Sequence, residues 1–368
     1  MGTQTTIKHI KALDGLRGFA ALAVTMFHGI LHFDTDLINR VLHQPAFGIH
    51  GTADWIAKIA LTVFNGESAV ILFFVLSGYV LGSSIDRSLD HGYSPTATSI
   101  EFLIKRVARI YPAMIVCMLV YWGLSKLLVG HIYYAVIDAG IAWHSSLLYE
   151  VSVHGPSWSL QVEMFAAPFV LAMVLFRRRF GMFALILIGC YAMFAIEYPV
   201  LVGGLNNLWP YLISFCIGVA LSSPQFEAIQ FEAKPAHLTI ALLVFVFARA
   251  VVPRAAISGL IAQSILAGLV VFTAARSHEG RCHEFLTNRL ALFLGRISYS
   301  FYLLNVPFLY LVWGVIAAIV PDPKSHYMLL GLLSGALATL ITIPFATVSA
   351  RYVEQPTIAI VSRWLKQI

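Results

Sequence analysis

The chain has 368 residues, of which 59% are hydrophobic and 11% are charged. Soluble domains carry about 25% charged residues, so this composition excludes an ordinary soluble protein and predicts an all-α, polytopic membrane protein. The net charge of +6 is typical of cytoplasmic Lys and Arg in such proteins, so we expect no nucleic-acid partner. The four cysteines and thirteen histidines lack ligand spacing, so we expect no metal and no disulfide framework.

Ten apolar segments approach the length of about 20 residues that spans a bilayer. The predicted spans are 11–33, 62–84, 107–128, 157–176, 180–198, 206–222, 238–252, 255–275, 289–314 and 327–350. With the N-terminus inside, eighteen Lys and Arg residues lie in inner segments and six in outer ones, which follows the positive-inside rule. Both termini are then cytoplasmic. The run 131–149 is interpreted as an outer loop that lies on the membrane or re-enters it.

These features predict one transmembrane domain over 1–368, without a cleavable signal peptide or an appended soluble domain. We expect a multi-pass protein of the cell membrane, which is the inner membrane in a bacterium. Membrane lipids are then its immediate surroundings.

The first span carries ionisable residues that a helix brings to one face. In LDGLRGFAALAVTMFH, residues 13–28, Arg17 and His28 are eleven residues apart, which is three turns plus about 20°. The helical rise separates them by about 16 Å, and Asp14 is placed to pair with Arg17. Ionisable groups inside a membrane are costly, so a functional role is predicted. The alternative is that Arg17 snorkels to headgroups and His28 hydrogen-bonds to a neighbouring helix.

The third span begins with basic residues that are candidates for binding phosphate. Arg106 and Arg109 are neighbours on one helix face, and Lys105 precedes them. Two guanidinium groups so placed can hold a phosphate or a diphosphate. The alternative is an anchor that binds anionic lipid headgroups.

Two carboxylates are candidate partners for the histidine of the first span. Glu163 lies about one turn inside the fourth span, after Trp158, which is a candidate substrate contact near the outer interface. A carboxylate there must be paired, protonated or next to water, and a Glu–His pair would orient the imidazole as a general base. Glu67, at the outer end of the second span, is also a candidate substrate contact; it either faces His28 or is solvated.

Further polar residues predict a polar lumen between the spans. Ser77 lies in FFVLSGY of the second span, and Tyr299 and Asn305 lie in GRISYSFYLLN of the ninth. All three are candidate substrate contacts. The alternative is close helix packing and interhelical hydrogen bonding.

Six stretches in a fixed order carry a family resemblance. They are LDGLRGFAALAVTMFH, FFVLSGYVL, RVARIYP, SWSLQVEMF, GRISYSFYLLN and YVEQP, and they extend over residues 13–356. In this order the chain resembles the acyltransferase-3 family of integral membrane acyltransferases. The resemblance implies transfer of acetyl or another acyl group from cytoplasmic acyl-CoA to a sugar of a surface glycan or to another acceptor.

The resemblance also implies roles for individual residues. Arg17 and His28 match the family's Arg-x10-His, which implies that His28 is catalytic. Arg106 and Arg109 match its Arg-x-x-Arg, which implies that they hold acyl-CoA.

Two further matches and two departures complete the comparison with the family pattern. Glu163 matches the Glu of Trp-Ser-Leu-x-x-Glu, and Glu354 matches the Glu of the terminal Glu-x-Pro. Residues 68–71 read Ser-Ala-Val-Ile, where many members include Gly-Val-Asp, and Asn305 stands where many have His. These departures leave the acceptor and any second histidine role open.

The mechanistic hypothesis places the donor phosphates at the arginines and at Lys105, with the pantetheine arm in a polar cavity. His28, oriented by Glu163 or Glu67, then removes a proton from a hydroxyl of a carbohydrate or lipid-linked glycan. An acyl-His intermediate is the second version. A glycan or lipid transporter without acyl chemistry is the alternative from another class, and a membrane scaffold or sensor is a third.

Overall fold

The computed structural model describes residues 10–205, 208–252 and 257–365. These residues form fifteen α-helices and no β-strand. The helices are α1 (Lys11–His32), α2 (Thr52–Val63), α3 (Gly66–Asp90), α4 (Pro95–Leu128), α5 (Ala139–Ser146), α6 (Trp158–Phe180), α7 (Met182–Glu197), α8 (Leu212–Leu221), α9 (Pro224–Glu227), α10 (Pro235–Val251), α11 (Ile257–Arg276), α12 (Arg281–Thr287), α13 (Arg289–Ile319), α14 (Tyr327–Ser349) and α15 (Gln355–Trp364). A π-helical segment, Ala350–Glu354, joins α14 to α15.

The all-α prediction is confirmed for the described residues, and every predicted apolar span falls on a helix. The ten spans correspond, in order, to α1, α3, α4, α6, α7, α8, α10, α11, α13 and α14. Six stretches of described helix, containing α3, α4, α6, α11, α13 and α14, are long and apolar enough to cross a membrane. Helix α1 is not among these six, and α7, α8 and α10 are shorter, so the count of ten crossings stays a prediction.

The cytoplasmic location of both termini also stays a prediction. Lys8, Arg254 and Lys366, which enter the count of inner and outer charges, lie outside the described residues. So do residues 206–207 and 255–256, at the starts of the sixth and eighth predicted spans.

Two short helices lie where the sequence predicted a loop or part of a span. The predicted second span begins at residue 62, but α2 ends at Val63 and α3 starts after Asn65, whose side chain accepts the Ser68 N–H at 2.8 Å. This cap satisfies one of the free N–H groups at the start of a helix. Within 131–149, α5 begins after Asp138, which caps it in the same way. The preceding segment is held inward, since the Tyr134 hydroxyl donates to the Pro307 carbonyl at 2.8 Å.

Helix α1 packs along α13 and α14 because glycines remove side chains from the contact. A Cβ added at Gly18 would lie 2.6 Å from the Gly295 nitrogen on α13. Close approach of this kind is a common basis of helix association in membranes. Farther along, the His32 ring stacks on the Trp313 ring with centroids 3.7 Å apart. These two contacts show that α1 and α13 run parallel, which places His28 level with the α13 segment around Asn305.

Candidate active site

A buried ion pair lies at the centre of the helix bundle. The Arg106 Nη2 atom on α4 donates to Glu163 Oε2 on α6 at 2.6 Å and to Ser77 Oγ on α3 at 3.3 Å. Arg106 is 5% exposed. A buried charge requires such partners, and the pair links three helices.

A cavity opens next to this pair, between α1, α3, α4, α6 and α13. Its lining residues are Arg17, Val70, Phe73, Phe74, Leu76, Ser77, Val80, Leu81, Arg106, Arg109, Ser159, Leu160, Glu163, Ser298, Tyr299 and Tyr302. The lining combines apolar walls with a few converging polar groups, which is the usual make-up of a ligand site.

A second depression continues this cavity toward the Arg17 end of α1. The two share Arg17, Arg109, Ser298 and Tyr299. The second one is completed by Lys11, Asp14, Leu292, Gly295, Arg296 and Glu354. Four cations therefore stand against two carboxylates, and we call this region the basic mouth. Its positive charge suits an anionic ligand.

Neighbouring contacts hold the side chains of the basic mouth in place. Arg17 Nη2 lies 3.1 Å from Asp14 Oδ1, as the spacing predicted. The Arg109 guanidinium lies 5.9 Å from the Tyr299 ring centroid, which is within the range of a cation–π contact. Glu354 Oε2 accepts a hydrogen bond from Ser300 Oγ at 3.0 Å.

Hydroxyl groups line the opposite end of the cavity. Ser159 Oγ lies 2.9 Å from the Tyr302 hydroxyl, and both groups donate to the Pro156 carbonyl, at 3.0 and 3.1 Å. Tyr302 was not a predicted site residue. It lies in the predicted motif GRISYSFYLLN, one turn from Tyr299, so helical spacing was the available signal.

The predicted orientation of His28 by a carboxylate needs correction. Glu163 pairs with Arg106, because a buried guanidinium attracts the nearest carboxylate. Glu67 pairs with Arg249 at 2.6 Å and lies 3.8 Å from His43. No hydrogen bond joins His28 to another described residue. Whether Glu163 takes part in the reaction stays a prediction.

The grouping of Arg106 with Arg109 is also changed by the structure. Arg106 is engaged by Glu163 and Ser77, whereas Arg109 faces the basic mouth. Lys105, predicted to help bind the donor, forms an ion pair with Glu101 on its own helix and lies outside the cavity lining.

Two predicted substrate contacts lie in different surroundings. Trp158 packs between aromatic rings, with its centroid 5.1 Å from that of Tyr211 and 6.1 Å from that of Phe74. Asn305 is fully buried on α13, and neither its Oδ1 nor its Nδ2 atom has a hydrogen-bond partner in the described part of the chain. An unpaired buried amide is costly and therefore requires an explanation.

The described helices and their buried polar site define a helical membrane protein with a charged cavity between its spans. The family model described as "Acyltransferase domain" matches residues 10–351, which is nearly the whole chain. The chain belongs to the acyltransferase-3 family, so it is a membrane acyltransferase by family. Comparison with curated proteins and with solved structures gave no match.

Proposed function

We propose that this protein is an O-acyltransferase of the cell membrane that moves an acyl group, with acetyl as the simplest case, from cytoplasmic acyl-CoA to a hydroxyl of a sugar or glycan. The observation that carries the proposal is the continuity of the basic mouth with the buried cavity through Arg17, Arg109, Ser298 and Tyr299. A ligand with an anionic head and a long, thin arm suits this shape.

The donor phosphates are assigned to the basic mouth. Four cationic side chains there can donate charge-assisted hydrogen bonds to phosphate, which are stronger than neutral ones. They are Lys11, Arg17, Arg109 and Arg296. Arg106 has a different part, because its guanidinium already holds Glu163 and Ser77. It shapes the cavity wall along which the pantetheine arm lies.

The reaction is assigned to the His28 end of α1. The structure has Arg17 and His28 in one helix, Lys11–His32, so the helical rise separates them by about 16 Å. His28 takes the proton of the acceptor hydroxyl, and the oxygen attacks the thioester carbon. The C–S bond then breaks, and the thiolate of CoA receives the proton. General-base assistance of this kind contributes about 10²–10⁴-fold to the rate.

The test is acyl transfer by the purified protein in detergent, with radiolabelled acetyl-CoA and envelope glycan as acceptor. We expect label in the glycan with wild type and none with His28→Ala. Arg109→Ala should raise the KM for acetyl-CoA. His91→Ala and Arg179→Ala, which alter an exposed histidine and an exposed arginine, are the matched controls and should behave as wild type.

The outcomes separate this proposal from its alternatives. Transfer without a sealed compartment excludes a transporter, because transport requires two sides and transfer does not. Label that stays on the protein when the acceptor is omitted, and that disappears in His28→Ala, indicates the acyl-His version. Undiminished transfer by His28→Ala would overturn the assignment of the base. No transfer and no CoA binding by wild type would overturn the proposed function.

A further inference from the structure

A proline interrupts the hydrogen bonding of α13 beside the reaction end of α1. Pro307 lies inside the helix Arg289–Ile319 and has no N–H group. The Leu303 carbonyl, four residues earlier, therefore lacks its usual helical partner. His154 Nε2 lies 2.8 Å from the Leu303 oxygen, and the Cys117 thiol donates to the same oxygen at 3.3 Å. Two side chains thus replace one missing backbone bond.

This contact determines which ring nitrogen of His154 carries the hydrogen. A carbonyl oxygen only accepts hydrogen bonds, so Nε2 must be the donor. In a neutral imidazole the other nitrogen, Nδ1, then presents a lone pair. His154 is fully buried, and its Nδ1 atom has no hydrogen-bond partner among the residues that the structure describes. The protein therefore holds an unused acceptor in its interior.

The functional group to consider at this level of the bundle is His28. It lies level with the Pro307 region because α1 and α13 run parallel. His154 contacts α13 at the Leu303 carbonyl, so both histidines lie beside the same stretch of that helix. The structure joins His28 to no other described residue by a hydrogen bond, whereas a histidine base needs an acceptor for its second nitrogen.

We propose that His154 is a positioning residue for His28: its Nδ1 atom accepts the N–H of the His28 ring, directly or through one water molecule. This bond leaves the opposite nitrogen of His28 unprotonated and turned toward the acceptor hydroxyl. The inference rests on the proposed function. In it, His154 orients the His28 imidazole, a role that the sequence suggested for Glu163 or Glu67. Hydrogen bonds in active sites commonly tighten only when substrate is bound.

Two substitutions of His154 separate positioning from a purely structural role. His154→Gln keeps an N–H near the position of Nε2 for the Leu303 carbonyl but has no acceptor at the position of Nδ1. His154→Asn has an amide oxygen near the position of Nδ1 but loses the bond to Leu303. Cys117→Ala removes the other donor to the Leu303 carbonyl and keeps both histidines, so it is the matched control.

We expect His154→Gln to lower kcat about 10-fold or more, with an unchanged KM for acetyl-CoA and unchanged thermal stability. His154→Asn should retain more of kcat than His154→Gln although it is less stable, and Cys117→Ala should keep wild-type kcat. If His154 only caps the Leu303 carbonyl, the order is reversed, because His154→Gln preserves that cap. Wild-type kcat in His154→Gln would overturn the inference while leaving the proposed function intact.

A second readout does not depend on acyl transfer. The ¹⁵N chemical shifts of the His28 ring, assigned by their loss in His28→Ala, report which nitrogen carries the hydrogen. We expect one tautomer in wild type and a mixture of both in His154→Gln. The same tautomer pattern in both proteins would overturn the inference, whatever the activity measurements show.

Discussion

The Arg106 Nη2 atom lies 2.6 Å from the Glu163 Oε2 atom, and this pair joins α4 to α6 through two residues that are 57 positions apart in the sequence. Both residues match motifs of the family, yet the contact makes them one unit rather than two independent site residues. The guanidinium also reaches Ser77, so α3, α4 and α6 meet at a single charge. Loss of activity after changing either residue therefore combines chemistry with folding.

Removing one partner of this pair should destabilise the protein strongly. Glu163→Ala leaves the buried Arg106 charge unpaired, which typically costs about 3–5 kcal/mol. Replacing both residues by apolar ones, Arg106→Met with Glu163→Leu, should recover most of the loss without restoring acyl transfer. Thermal unfolding in detergent measures both effects. Equal stability of Glu163→Ala and wild type would show that the pair contributes little.

Arg109 should behave differently from Arg106, because it lies in the basic mouth and not in the buried pair. Arg109→Ala should raise the KM for acetyl-CoA several-fold and leave thermal stability close to wild type. Salt should raise the wild-type KM as well, since screening weakens attraction between a cationic surface and phosphates. The variant should show a smaller salt dependence. A normal KM in Arg109→Ala would remove this residue from the donor site.

The comparison of sequence with structure shows what helical periodicity can and cannot predict. The spacing of Arg17 and His28 in one helix, and the pairing of Arg17 with Asp14, followed from local geometry. Partners on other helices did not follow, because periodicity identifies a face of a helix but not the helix that covers it. Glu67 illustrates this, since its partner Arg249 lies 182 residues farther along the chain.

The same limit explains why the sequence did not single out His154. Nothing beside it in the sequence indicates that it contacts the Leu303 carbonyl, 149 residues away. The available signal was Pro307, which predicts an unpaired carbonyl at Leu303 and therefore a side chain that donates to it. Sequence alone does not say which donor meets that carbonyl.

Packing of α1 against α13 should be sensitive to a single methyl group. Gly18→Ala places a Cβ atom 2.6 Å from the Gly295 nitrogen and 2.8 Å from the Leu294 Cβ atom, so the helices must move apart. We expect the free energy of unfolding to fall by about 1–3 kcal/mol, which is the usual cost of overpacking. Gly123→Ala on α4 is the matched control, because nothing lies within 4 Å of its added Cβ.

The Gly123→Ala control should instead be more stable than wild type by about 0.5–1 kcal/mol, since glycine inside a helix is destabilising relative to alanine. Unfolding temperatures measured in the same detergent compare the two variants directly. If both changes shifted stability in the same direction, the α1–α13 contact would be looser than the structure shows.

The buried amide of Asn305 should be a case in which stability and function oppose each other. Both polar atoms of this side chain lack hydrogen-bond partners in the described chain, although the residue is fully buried. Asn305→Leu keeps a similar shape and removes the unpaired polar atoms, so we expect the free energy of unfolding to rise by about 1–3 kcal/mol. Stabilising changes at functional sites commonly reduce activity.

We expect Asn305→Leu to lower acyl-transfer activity, because Asn305 lies level with His28 and one turn beyond Tyr302, which lines the cavity. Asn65→Leu is the control: its amide oxygen caps α3 through the Ser68 N–H, so its loss should lower stability by about 1 kcal/mol. Thermal unfolding and acyl transfer are measured on the same preparations. A destabilised Asn305→Leu would mean that the amide is satisfied in the membrane-embedded protein, and a stabilised variant with normal kcat would exclude it from the acceptor site.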